Sequence, residues 1–186
     1  MASTRRAYVS SSGPLFGLLG ALVFVLGAAG GSPLEPPPPA PWQQLLETAQ
    51  ELDAMGQATE AIAAAQEAVE TARLDFGTLH ANTARAYEML GLLREGHGQV
   101  AEAQQALIQA TDIRLVVLGR QHEDTTKSLQ HLANLYRAQG AYIESEGLLH
   151  KALRWLESAR PVNEVGVASL LSDLAVVYYL DRKSVV

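Results

Sequence analysis

The stretch that decides the fold is Leu132-Ala133-Asn134-Leu135-Tyr136-Arg137-Ala138-Gln139-Gly140-Ala141-Tyr142. Together with Leu129, the residues Leu132, Ala133 and Tyr136 recur at steps of three and four, the spacing of one face of an α-helix. Gly140 ends that helix, because glycine takes the positive φ that a helix C-terminus favours. Tyr142, Ser145, Leu148, Leu149, Ala152 and Trp155 then draw the apolar face of a second helix. Outward from this pair, the pattern returns every 42 residues, as in Gly56, Gly98 and Gly140, or Glu60, Glu102 and Glu144, or Leu90, Leu132 and Leu174. His80 and His122 keep the same step, each after a glycine (Gly77, Gly119). Small residues recur in the middle of the first helix (Ala49, Gly91, Ala133, Ala175) and twice along the second (Ala61, Ala103, Ser145; Ala68, Ala110, Ala152). They let two antiparallel helices approach closely while larger neighbours fill the grooves. Neither helix buries its stripe alone, so stacked pairs must share one continuous core.

This unit resembles the tetratricopeptide repeat, in the long-linker version found in kinesin light chains and in bacterial and algal scaffold proteins. The likeness is carried by residues 132–142 and by the inter-repeat Leu118-Gly119-Arg120-Gln121-His122. It spans about 42–180, with repeats at 42–77, 80–118 and 122–160 and a partial repeat at 163–180. The match is fuller over 80–160 than over 42–77, where Thr48 and Ala65 replace bulkier apolar residues of the family. Ala81 and Glu123 stand where the family usually places proline after the inter-repeat histidine. The resemblance implies an all-α, right-handed superhelix of antiparallel helix pairs whose concave groove binds peptides or partner proteins.

Composition agrees with a helical interaction module. Of 186 residues, 48% are hydrophobic and 18% charged, which excludes a disordered polyelectrolyte. Aromatics reach only 6%, so the apolar content is mainly helix-favouring alanine and leucine. The absence of cysteine removes disulfides, thiolate catalysis and cysteine-ligated metals. A net charge of −6, with no basic run longer than Arg5-Arg6, argues against nucleic acid, whose binding begins with phosphate neutralisation.

Residues 1–31 read as an address. Arg5 and Arg6 lie in a serine-rich start, Leu15 to Ala29 is uninterrupted apolar and glycine sequence, and Gly30-Gly31-Ser32 gives a small-residue exit. Fifteen residues at helical rise span about 22 Å, less than a hydrocarbon core of roughly 30 Å. A cleaved signal peptide leads this reading. The nineteen residues Gly13 to Gly31 also suit an uncleaved membrane anchor, and the arginine–serine bias suits an organellar transit peptide. The expected localisation is therefore the secretory pathway, with membrane contact only through this segment. Residues 32–41, with Pro33, Pro36 to Pro39 and Pro41, form a stiff extended linker, and the domain starts at Trp42.

No catalytic, metal or cofactor site is expected. No P-loop, nucleophile elbow, dinucleotide fingerprint or converging ligand set is present, and Glu144 and Glu146 cannot form a carboxylate dyad. His80 and His122, being repeat-equivalent, should serve to start helices. The partner-binding groove is assigned to first-helix positions between the packing ones. These are Gln43, Leu46, Gln50 and Asp53 in the first repeat and Arg85, Glu88, Leu92 and Glu95 in the second. The third repeat supplies Lys127, Gln130, Asn134 and Arg137, and the last helix Ser169, Ser172 and Val176. The third set is basic and amide-rich, suited to a peptide main chain or an acidic side chain.

The C-terminus departs from the register. A first helix over Asn163 to Leu180 should be followed by glycine and a second helix, but the chain reads Asp181-Arg182-Lys183-Ser184-Val185-Val186. Leu170, Leu171, Leu174, Val177 and Tyr178 would then lie uncovered. Those six residues equal the translation of a common sequencing adapter, gatcggaagagcgtcgtg, whose next triplet is a stop. The expectation is that native sequence ends near Leu180 and that the natural protein is longer.

Overall fold

The computed structural model describes residues 40–184. The expected address segment, the linker before residue 40, and Val185 and Val186 lie outside the described residues. Seven α-helices run through the rest: α1 (Pro41–Ala54), α2 (Ala58–Phe76), α3 (Ala81–Gly96), α4 (Val100–Val117), α5 (Glu123–Ala138), α6 (Tyr142–Ser158) and α7 (Glu164–Ser184). Each packs on its successor, and α1 also touches α3 as α5 touches α7. The odd-numbered helices, which are the first helices of the repeats, therefore form one row. No strand occurs among the described residues.

Local chemistry sets the boundaries. Pro41, assigned to the linker on sequence, instead opens α1, where its missing N–H is no loss. The Ala40 N–H donates to Gln43 Oε1 at 3.1 Å beside it, and Trp42 is buried. His80 and His122 do start helices: each Nδ1 accepts the backbone N–H two residues on, from Asn82 and Asp124, at 3.1 Å. The turns within each pair use Gly56, Gly98 and Gly140 at φ between 75° and 77°, so each helix ends at the same point of its repeat.

A latch joins successive repeats. The Thr83 hydroxyl donates to the Gly77 carbonyl at 2.8 Å, with the Ala72 carbonyl at 3.3 Å. One repeat later the Thr125 hydroxyl donates to the Arg114 carbonyl at 3.3 Å. Both threonines are fully buried and bond carbonyls in the last turn or the cap of the preceding second helix; that of Arg114 also accepts the Leu118 N–H at 2.8 Å.

Inside each pair the small residues sit where the helices meet. Ala49 and Ala133 are wholly buried, and a Cβ built on Gly91 would lie 2.8 Å from Leu107 Cγ. The first repeat places Ala49 and Ala65 where the second has Gly91 and Leu107, so between these two repeats the sides of the contact exchange volume, whereas the third pairs Ala133 with Leu149. The core is accordingly alanine-rich, with larger plugs such as Trp42, Leu107, Leu135 and Leu149.

The last helix corrects two expectations. Leu170, Leu174 and Val177 are not exposed: they are 1–4% accessible, packed with Leu149, Leu153 and Leu156 of α6. Only part of the stripe is open, with Leu171 at 51% and Tyr178 at 48%. The helix also runs past Leu180 to Ser184, because Arg182 stands where the register calls for the turn glycine.

Replacing Gly91 with alanine should lower stability by about 1–2 kcal/mol despite alanine's better helix propensity, because Leu107 must shift. Combining Gly91→Ala with Leu107→Ala, the pairing of the first repeat, should cost less than the two single changes summed. Denaturant titration of the four proteins, read as a double-mutant cycle, measures the coupling.

Candidate functional site

The exposed side of the odd-helix row is the candidate interaction face, and polar side chains bridge it from helix to helix. The Gln50 amide approaches Met89 Sδ at 3.8 Å between α1 and α3. His131 of α5 lies 3.7 Å from the Glu88 carboxylate of α3. Gln130 of α5 donates to the Ser169 hydroxyl at 2.9 Å and to Asp173, both on α7. The face contains two depressions. One of about 140 Å³ between α1 and α3 is lined by Gln43, Leu46, Glu47, Gln50, Arg85 and Met89. The other, of about 420 Å³, lies where α5, α6 and α7 meet. Lys127, Gln130 and Ser169 reach it, and Leu156, Val165 and Leu170 give it apolar walls.

Several expected groove residues are committed elsewhere. Leu46 is buried at 5% accessibility within the first core cluster, so it supports the face without offering its own surface. Leu92 is half-buried against the cluster formed by α4 and α5. Glu88 is held by Arg114 of α4, whose two terminal nitrogens meet its two oxygens, the longer contact at 2.8 Å. The same guanidinium donates to Ser128 Oγ and to the Asp124 carbonyl of α5. Asp53, near the end of α1, pairs with His97 Nε2 at 2.6 Å.

The basic character expected of the third repeat is answered within the chain. Lys127 Nζ contacts Glu123 at 2.6 Å, a hydrogen bond that pushes the lysine up and the carboxyl down from their ordinary values. The Arg137 Nε donates to Asn134 Oδ1 at 3.4 Å. Glu95 lies close enough to His131 and Arg137 to feel both, yet its burial prevails and holds its carboxyl above the usual range. Arg85 and Ser172 stay exposed on α3 and α7.

This arrangement repeats along the row, and the comparisons with known proteins follow it. Two family models, both described as tetratricopeptide repeat, match residues 49–115 and 125–155. The chain belongs to the tetratricopeptide repeat family. Among solved structures, BtubC (BKLC) from P. vanneervenii aligns with a TM-score of 0.67 at 13% identity, over 75% of this chain and 56% of that one. A Podosopora anserina chain assigned as a kinesin light chain with nearly identical TPR-like repeats aligns at 0.63 and 23% identity, over 75% and 66%. A single-substitution variant of that fungal chain gives 0.64 at the same identity and coverage. The chain thus spans about three-fifths of the length of these proteins, and at such identities the likeness concerns the fold. No curated protein matches it.

Tetratricopeptide repeats in general bind protein partners and are not enzymes. Within this one, sequence reading passed over a full column of the face: Glu47, Met89, His131 and Asp173, spaced by 42 and one helical turn beyond Gln43, Arg85, Lys127 and Ser169. It also missed histidine–carboxylate pairs that the fold creates, and one it could have seen: Glu146 and His150, four apart on α6 and 3.5 Å from each other. No group of three or more potential metal ligands gathers among the described residues.

Two outcomes test these contacts. Glu88→Leu alone should destabilise the domain by about 3 kcal/mol, because Arg114, 6% accessible, loses its counter-charge. Adding Arg114→Met should recover most of that loss in chemical denaturation. For Glu95, a carboxyl pKa raised by folding means that the folded state holds the proton longer, so stability falls as pH rises from the ordinary carboxylate pKa through the shifted one. Glu95→Gln should therefore be more stable than wild type at about pH 7 and lose that advantage near pH 4, read from paired thermal melts.

Proposed function

We propose that this chain is a non-enzymatic scaffold that holds an extended segment of a partner protein along the row of first helices. The supporting observation is the depression of about 420 Å³ bounded by α5 and α7, where the groove residues Lys127, Gln130 and Ser169 converge over apolar walls. Gln130, Asn134, Ser169 and Ser172 offer amides and hydroxyls that can exchange hydrogen bonds with a peptide main chain. Because Lys127 and Arg114 are paired with carboxylates and Arg137 lies beside Glu95, the face suits an uncharged or mixed-charge segment better than an acidic tail. An apolar side chain of that segment would enter the pocket. Delivery through the secretory pathway, with protein partners and neither nucleic acid nor cofactor, completes the reading. The same face would serve the alternatives, an interaction arm of a longer enzyme or signalling protein, or a kinesin-light-chain-like cargo adaptor.

Peptides selected from a displayed random library against the purified domain provide the test. Ser169→Trp, which fills the pocket from an exposed position, should weaken the selected peptides by about tenfold or more while the thermal midpoint holds. Asn134→Ala should add to that loss. Arg154→Glu, exposed on the second-helix side, should leave affinity unchanged. Peptides that ignore Ser169→Trp and respond to Arg154→Glu would move the site off this face.

A further inference from the structure

Six exposed positions of α7, Glu164, Ala168, Leu171, Ala175, Tyr178 and Arg182, follow one another at steps of four and three. At the turn angle of an α-helix they fall within about 40° of a single line along its surface. The core stripe of Leu170, Leu174 and Val177 lies apart from them, against α6. Two of the six carry unanswered charge, since neither Glu164 nor Arg182 enters an ion pair among the described residues. Tyr178 is held at its tip instead: its hydroxyl donates to Glu146 Oε1 at 2.8 Å and lies 3.1 Å from His150 Nε2, both on α6. Its ring is therefore fixed beside the flank before anything docks there.

The order of these six residues complements itself when reversed. Asp173 is the midpoint, and reversal about it sets Leu171 against Ala175, Tyr178 against Ala168 and Glu164 against Arg182. Each match joins a large side chain to a small one, or an anion to a cation. Run in the same direction and register, two such stripes would instead place Leu171 on Leu171, Ala175 on Ala175 and Glu164 on Glu164, with gaps, crowding and repulsion. We propose that this flank is a homodimer interface, in which α7 packs antiparallel on the α7 of a second copy about a two-fold axis level with Asp173. The Asp173 side chain itself faces α5, where Gln130 donates to it, and stays clear of the seam. The two-fold makes every match twice. The sets Ala168, Ala175, Arg182 and Glu164, Leu171, Tyr178 each recur every seven residues, the spacing that keeps two helices in contact along a seam. Glu164 in the first turn of one helix meets Arg182 in the last turn of the other, which also suits both helix dipoles. The seam runs about 27 Å, at the small end for a specific interface, so the association should be micromolar. Its four inner positions precede Leu180, and only the outer match draws on the adapter-like residues. This inference stands whether or not the groove binds a peptide.

Sedimentation equilibrium of the chain from about 1 to about 300 µM tests the association and should show monomer passing to dimer. Ala175→Glu, which sets a carboxylate against Leu171 of the second copy, should weaken the dimer by about tenfold or more. Because Ala175 is exposed, the thermal midpoint of the dilute monomer should hold. Direction is read by crosslinking, which the cysteine-free chain makes unambiguous. Leu171→Cys chains mixed with Ala175→Cys chains should form a disulfide-linked dimer on oxidation, and either variant alone should form far less. A chain that stays monomeric throughout, as it would if the flank received a different protein, overturns the proposal. So does a dimer indifferent to Ala175→Glu, which would place the contact elsewhere on the molecule. Crosslinking of Leu171→Cys alone that matches the mixture would make the pairing parallel and overturn it as well.

Discussion

The close approach of the two helices in each pair, through Ala49, Gly91 and Ala133, is the contact on which the rest of the molecule depends. An alanine methyl contributes only on the order of 0.8 kcal/mol by burial, so these positions matter through distance more than through area. Bringing the axes together lets Leu107 and Leu149 reach across into the core. It also fixes where each first helix stands relative to the next, and hence the row of side chains that forms the candidate interaction face. The glycine turns close one end of each pair, and the latches of Thr83 and Thr125 tie the second and third pairs to the ones before them.

The candidate interaction face is polar without being strongly charged. Its formal cations and anions are largely spent on one another, across α3, α4 and α5 and along the first turn of α5. What is left open is amide, hydroxyl and apolar surface, which under the proposed function would read backbone shape and side-chain size more than charge. A partner held in this way would show weak salt dependence, since exposed ion pairs carry most of the ionic-strength sensitivity of binding.

Much of this was legible in the chain, for a definite reason. A 42-residue period forces every residue type to confess its place three or four times, so pair boundaries, turn glycines, capping histidines and small-residue contacts could be read directly. The failures are the positions where one repeat differs from its siblings. Glu88 was read as a groove residue because its column was taken as uniform; its siblings Leu46, Gln130 and Ser172 range from buried to exposed. Arg114 gave no periodic signal, although a lone arginine in a column otherwise held by Ala72 and Leu156 was itself the clue. Lys127 and Glu123 could have been paired by their i,i+4 spacing. The column Glu47, Met89, His131 and Asp173 was missed because a single stripe of positions three and four apart, such as Gln43, Leu46, Gln50 and Asp53, was taken for the whole face.

Repeats that share one 42-residue pattern carry a hazard of their own: a helix can dock against the right face of the wrong neighbour and still bury its stripe. Alanine and leucine contacts scarcely distinguish a pairing from the same pairing displaced by one repeat. The ion pair does. If α3 docked on α2 or α6 in place of α4, Glu88 would meet Ala72 or Leu156, and a carboxylate now 17% accessible would lie without its counter-charge. A buried charge left alone is among the most expensive errors a fold can contain. Arg114 thus acts as a serial number within the array, giving one of several look-alike junctions an identity that cannot be exchanged.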